Sequence, residues 1–569
     1  MTSTPDTTTS AKTVALGITA AVAAAAATTA AFHAGAHLTP TGDTYPVSPV
    51  RLLTQLLAGS ATVPPAAWIL MPAALAAVAC VWFLLLIRLT PTQGHTLSDA
   101  QKHLAFSAEL APVQHKARLH EAARLHPGTD VGAGLRIGRI VNTGTWYVRG
   151  WRDLGVCIFG TGRGKTSSQV IPHMADAPGP AAMSSNKPDG VDETLTLRAG
   201  LGQAWVFDPQ QIYRQNPTPD FTFNPLEQIA TVADAKELAV IFEASTTRGA
   251  TKGDAQFDES GRNLLAYFFL AAALGGLGLA DVFRWLCDPK GDALEPLSLL
   301  HGAGKTGPVH AIQGILKQPE RTRGSVYATA QRMAAVLADD ELMAWVTPTT
   351  GIRTFDPTAF LDTHDTLVLL SKEGQGSGGA VLTALVRSVC KNAEREANRN
   401  GGRLQVPLVL ELDECANIVR WPELPSLFSF YGSLGIMLST YFQSWTQGAD
   451  AFGKDGMQTM WDAASCRVYG GGSGDDSFLK SLSTLIGEYD ETITSNSSGQ
   501  NGNHSTTENS RLRPILDPAA LGALQPWRAV VFSSITGPTA LELVPWFDDP
   551  RLSKRVAAAK AAGDPEARA

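Results

Sequence analysis

An α/β chain is what this sequence predicts: a P-loop NTPase fold with a mostly parallel sheet, an all-α inserted domain and two N-terminal transmembrane helices. Three observations predict it. A glycine-rich turn follows an apolar strand at 156–166, and a second apolar strand at 406–412 runs into paired carboxylates. Two long runs without a charge, 13–36 and 63–87, precede both.

The N-terminal runs come first along the chain. Residues 13–36 are almost uninterrupted Ala, Val, Thr, Gly and Ile, and 63–87 carry Trp68, Leu70 and Trp82 before Arg88 closes them. Each is long enough to cross a hydrocarbon core of about 20 residues. Ala34-Gly35-Ala36 would suit a signal peptidase, but the first run is longer than a usual h-region and only Lys12 precedes it. Arg88, Lys102, Lys116, Arg118 and Arg124 follow the second run. The positive-inside rule then places the bulk of the chain in the cytoplasm, with a short external loop at 37–62. Residues 1–94 are therefore expected to be a multi-pass anchor in the inner or plasma membrane, with helices at 13–36 and 63–88.

Residues 95–230 read as the first part of a nucleotide-binding domain. A Leu/Ala-rich helical pattern leads to short strands at 135–140 and 145–148. Val156-Cys157-Ile158-Phe159 then runs into Gly160-Thr161-Gly162-Arg163-Gly164-Lys165-Thr166-Ser167. In that context small residues let backbone N–H groups curl around phosphate, with the following helix adding its dipole. Lys165 would reach the β- and γ-phosphates of ATP, and Thr166 would offer its hydroxyl to Mg²⁺. The strict spacing wants glycine at 159, where this chain has Phe159. A similar turn, His301-Gly302-Ala303-Gly304-Lys305-Thr306, follows a segment with Pro296 and no strand, so it reads as an interhelical loop. Further strands are expected at 181–185 and 204–207, and strands alternating with helices argue for a parallel sheet.

From 231 to 345 the pattern turns helical throughout, an all-α insert between two parts of one sheet. The second part, 346–550, carries Val406 to Leu412 ending in Asp413 and Glu414. With a P-loop present, Asp413 is the Mg²⁺ residue and Glu414 the general base. The next apolar run, 435–442, ends in Gln443, placed to contact the γ-phosphate or its water. A polar Ser/Asn/Gly stretch at 489–512 reads as a mobile loop, and the tail at 551–569 as flexible.

Six cysteines form no C-x-x-C pair and twelve histidines no H-E-x-x-H. A disulfide framework or zinc site is thus set aside. The formal net charge of −7 does not describe a protein coated in duplex DNA, though a ring motor needs basic residues only along its channel.

The motifs in this order resemble the TraG/TraD-type coupling proteins of type IV secretion, the conjugative DNA-transfer ATPases. The likeness runs from about 13 to 550. It rests on the membrane runs, the P-loop, Val170-Ile171-Pro172, Ser185 to Asp189, Val206 to Pro209, Phe223 to Leu226, Leu412 to Glu414, Gln443-Ser444, Arg511 to Pro514 and Val544 to Phe547. It implies a homo-hexamer with a RecA-like motor domain that uses ATP to drive DNA, expected single-stranded with its relaxase, through a type IV secretion channel. Many relatives have Asp-Pro-Lys-Gly where this chain has Asn186-Lys187-Pro188-Asp189. No arginine finger can be placed; Arg467, Arg511 and Arg513 read equally well as surface arginines. Two alternatives stand beside this reading: an FtsK-like DNA or protein motor, and a membrane scaffold that binds nucleotide without turnover.

Overall fold

The computed structural model describes residues 7–89, 97–105, 108–216, 218–246, 255–288, 294–372, 378–498 and 504–562. The chain divides into two compact units, Met1–Gly94 and His95–Ala569.

The first unit holds helices α1 (Thr7–Leu38), α2 (Pro49–Leu57) and α3 (Ala67–Leu89). Phe32, Leu52 and Ala67 form its small core. A Cβ on Gly35 would lie 2.6 Å from the backbone of Ala67, so α1 and α3 approach through small residues. The runs expected to span a membrane lie largely in α1 and α3. Even so, among the described residues no helix is long and apolar enough to cross a membrane. Part of each helix, 7–21 of α1 and 82–89 of α3, lies outside the described side chains.

The second unit is built on a sheet of 11 strands. In chain order these are β1 (Leu135–Ile140), β2 (Trp146–Arg149), β3 (Gly155–Ile158), β4 (Ala181–Ser185), β5 (Ala204–Phe207), β6 (Thr366–Leu370), β7 (Leu408–Leu412), β8 (Ile436–Phe442) and β9 (Cys466–Tyr469). A ribbon of β10 (Glu488–Ser498) and β11 (His504–Pro514) intervenes before β12 (Arg528–Ser533) and β13 (Thr539–Glu542). The sheet order is β2-β1-β13-β12-β9-β3-β8-β7-β4-β6-β5. Every pairing from β9 to β5 is parallel, and the β12, β13, β1 and β2 flank is antiparallel. The parallel strands are buried on both faces, which is why they read as continuous apolar runs rather than as alternation.

Alternate residues feed two cores. Leu408, Leu410 and Leu412 of β7 join Val156 and Ile158 on one face, with the helix Gly379–Arg399. Val409, Met437, Tyr441 and Cys157 join Val170 and Met174 on the other. Register puts β3, β8 and β7 side by side, with Ile158 opposite Phe442 and Leu412 opposite Thr440. Their C-terminal ends therefore open at one edge, where open α/β sheets bind ligands.

Between β5 and β6 the described residues form a series of helices, from Val232–Thr246 to Asp340–Val346. A bridge between Thr222 and Thr354 closes the base of this excursion. The Lys305 turn joins two helices, Leu294–Gly302 and Thr306–Leu316, as its context predicts.

Two expectations are corrected. Within the polar stretch 489–512 the described residues form an antiparallel ribbon of β10 and β11, with Glu488 opposite Pro514 and Tyr489 opposite Arg513. Its sequence carries no apolar alternation, while Thr, Tyr and Ile still favour extended backbone. The tail, expected to fray, is helical over Pro550–Ala562, and Leu552 and Val556 are buried against Ile171 and Leu197. Residues 563–569 lie outside the described residues.

Candidate nucleotide site

The strand β3 delivers the chain to Phe159, which is fully buried. Phe159 is tolerated at a glycine position because its ring lies over Gly470: a Cβ there would sit 2.2 Å from the ring. The loop Gly160 to Gly164 then turns with Gly162 at φ 72° and Gly164 at φ 81°, backbone that favours glycine. Gly160 packs on Gly472, whose carbonyl would lie 2.5 Å from an added Cβ. Thr161 and Gly162 are exposed at the tip. Arg163 points away from the loop's concavity, its guanidinium donating to the Leu524 carbonyl.

After Lys165, Thr166–Val170 form a π turn that continues as the α-helix Ile171–Asp176. Pro172 lacks an N–H, and the ladder widens just before it, with Ile171 N bonding Thr166 O.

The sequence-predicted residues meet here. Lys165 Nζ bonds a Glu414 carboxylate oxygen and lies 3.1 Å from Asp413 Oδ1. Thr166 Oγ1 donates to Asp413 Oδ2 at 2.8 Å. From the strand between them, Gln443 Nε2 reaches both Glu414 oxygens at 3.0 and 3.1 Å. Glu414 sits at φ 53°, ψ 39°, a left-handed conformation costly for a non-glycine residue and typical of functional sites.

Two partners went unread in the sequence. Asn417 Nδ2 donates to Glu414 Oε2 at 3.1 Å, and Gln447 donates to Asn417 while accepting from Gln443 N. Asn417 lies three residues after Glu414 on the short helix Cys415–Ile418, a spacing that could have flagged it. The triple glycine 470–472, just after a strand, was the signal for the loop's floor. Arg467 and Arg513 do not reach this site: Arg467 lies over the Trp461 ring, and Arg513 pairs with Glu491 at 2.9 Å.

The electrostatics suit an added cation. Burial pulls the Lys165 ammonium down, but Asp413 and Glu414 more than offset it and hold it above the ordinary lysine range. Burial pushes Asp413 above the usual carboxylate range, a shift that Lys165 and Thr166 only partly counter. One ammonium shared between two buried carboxylates leaves an excess negative charge. The oxygens of Thr166 and Asp413 are donors of the kind a hard divalent cation takes.

A second buried cluster lies earlier on β7, on the face packed against the P-loop helix. Glu411, with no solvent exposure, accepts from Ser439 Oγ at 2.7 Å and from Tyr441, and faces His173 Nδ1 at 3.1 Å. Arg149, also buried, lies 3.5 Å from Glu411 and donates to Ser439 Oγ at 2.7 Å.

A lysine and threonine on a glycine loop, facing paired carboxylates two strands away at the C-terminal edge of a parallel sheet, define the P-loop NTPase class. Within that class, residues 407–526 match the family described as the TraM recognition site of TraD and TraG. The chain is similar in structure to the bacterial conjugative coupling protein TrwBdeltaN70, unbound, at TM-score 0.52 and 16% identity, covering 74% of this chain and 91% of that one. It is similar also to the plasmid coupling protein TrwB in complex with ADP and Mg²⁺, at TM-score 0.51 and 17% identity, covering 74% and 92%. At these identities the likeness establishes the fold. With the matched segment, it shows the resemblance to the TraG/TraD-type coupling proteins. No curated protein matches the chain in sequence.

Proposed function

We propose that this chain is a membrane-anchored ATPase that couples ATP hydrolysis to the transfer of DNA, with bound relaxase, through a type IV secretion channel, working as a homo-hexamer. One observation carries the ATPase: Lys165, Thr166, Asp413, Glu414 and Gln443 converge from three adjacent strand ends. The transfer role is supported by the matched segment 407–526 and by the coupling-protein fold. That TrwB was obtained with ADP and Mg²⁺ supports both as ligands here.

In this reading the backbone N–H groups of 160–166 cradle the phosphates, and Lys165 leaves its carboxylates to neutralise the β- and γ-oxygens. Thr166 and Asp413 would hold Mg²⁺, which supplies charge neutralisation across the same phosphates. Glu414, held by Asn417 and Gln443, takes a proton from the attacking water. Gln443 joins that base to β8 and so carries the state of the site into the sheet.

The test is a pair of variants in the full chain, measured with single- and double-stranded DNA. Lys165→Ala should lose ATP turnover by at least about a hundredfold, in line with removal of a charge-stabilising group. Glu414→Gln should bind ATP as the parent does and lose turnover. Undiminished hydrolysis in Lys165→Ala refutes the site, and hydrolysis unmoved by either DNA refutes the transfer role.

A further inference from the structure

An aromatic group the phosphate chemistry does not use lies against the P-loop. Trp527 covers Gly164 so closely that a Cβ there would meet its ring at 2.2 Å. Trp527 adopts φ 63°, a left-handed backbone that an aromatic residue takes only at a cost. Its ring meets Phe547 edge-on with centroids 5.9 Å apart, and Phe547 meets Trp546 at 5.7 Å. The Trp546 N–H donates to the Ser167 carbonyl at 2.9 Å, which fixes this segment beside the residue just after Thr166. Phe547 is 47% exposed, although it is a large apolar side chain flanked by two tryptophans.

The position follows from the loop's polarity. Asp413, Glu414 and Gln443 all stand on the β8 and β7 side of β3, which is where a terminal phosphate would lie. The rest of a nucleotide must then leave the loop on the other side, past Gly164 and Ser167. There the chain presents Trp527, Trp546 and Phe547 from the segments flanking β12 and β13.

We infer that Trp527 and Phe547 form the nucleobase subsite of the P-loop, holding the flat base of a nucleoside triphosphate by stacking. This rests on the nucleotide-binding reading above. Stacking on an aromatic ring needs no hydrogen-bond code, and losing one such ring typically costs tenfold or more in affinity.

The experiment is calorimetric titration of the full chain with ATP and, separately, with inorganic tripolyphosphate. Phe547→Ala removes an exposed ring and leaves the fold intact, and Trp527→Phe keeps an aromatic over Gly164 as a control for folding. ATP affinity should fall about tenfold in Phe547→Ala and remain within about threefold in Trp527→Phe, while tripolyphosphate binds all three proteins alike. Equal ATP affinity in Phe547→Ala and the parent overturns the subsite and leaves the phosphate site standing. An equal loss for ATP and tripolyphosphate also overturns it, because the ring would then be shaping the loop. A parent chain that binds neither ligand overturns the nucleotide reading itself.

Discussion

Glu411 is a carboxylate placed where no solvent reaches it, two residues before Asp413 on the same strand. Burial alone would raise it, but His173, Arg149 and the hydroxyl of Tyr441 outweigh burial and hold it below the ordinary glutamate range. These partners come from the P-loop helix, from β2 and from β8, so one side chain ties the acidic strand to the elements that present Lys165 and Gln443. A depressed folded-state value means stability that is present above the unfolded value, near pH 4.3, and lost as pH falls through the folded one. Glu411→Gln should therefore cost about 3 kcal/mol or more at pH 7, as breaking a buried ion pair does, with the gap narrowing below about pH 4. Urea unfolding at both pH values measures it; a gap constant with pH would show that the lost contact is not ionic. The sequence offered Lys165, Thr166, Asp413 and Glu414 because each stands at a fixed offset from an apolar strand. It did not offer Glu411, Asn417 or Trp527, whose roles depend on what lies across the sheet.

At the scale of elements, a strand-to-loop junction shows how a local rule can be broken and repaired. Phe159 occupies the glycine position, and the space it needs comes from the glycines that follow β9. Gly470 lies under its ring, and Gly472 lies under Gly160. Gly470→Ala should overpack this junction by about 1–3 kcal/mol. Phe159→Leu in the same chain should recover part of that loss, because the smaller side chain frees the ring's volume. Chemical denaturation of the two single variants and the double resolves the coupling, and strict additivity would mean that the residues do not share the space. Elements marked by a continuous apolar run, such as β3, β7 and β8, were legible in the sequence. The ribbon of β10 and β11 was not, because Ser, Thr and Asn on both faces leave cross-strand pairing as the only order, and pairing has no signature within one strand.

For the whole molecule the contrast between its two units sets the expectation. The unit His95–Ala569 buries two extensive cores around its sheet, whereas among the described residues of Met1–Gly94 the hydrophobic cluster is Phe32, Leu52 and Ala67. The small unit instead leaves Val22, Leu57, Trp68, Ile69 and Val81 exposed. Exposed apolar surface on this scale marks contact with lipid or another apolar partner. If lipid is that partner, the full chain should float with phospholipid vesicles in a density gradient and stay with them in high salt or alkaline carbonate. Residues 95–569 alone should remain at the bottom of the gradient and still bind ATP with the affinity of the full chain. Release of the full chain by salt would mean attachment through charge at the surface and would end the spanning reading of 13–36 and 63–88. Flotation of 95–569 would instead move the lipid contact onto the larger unit.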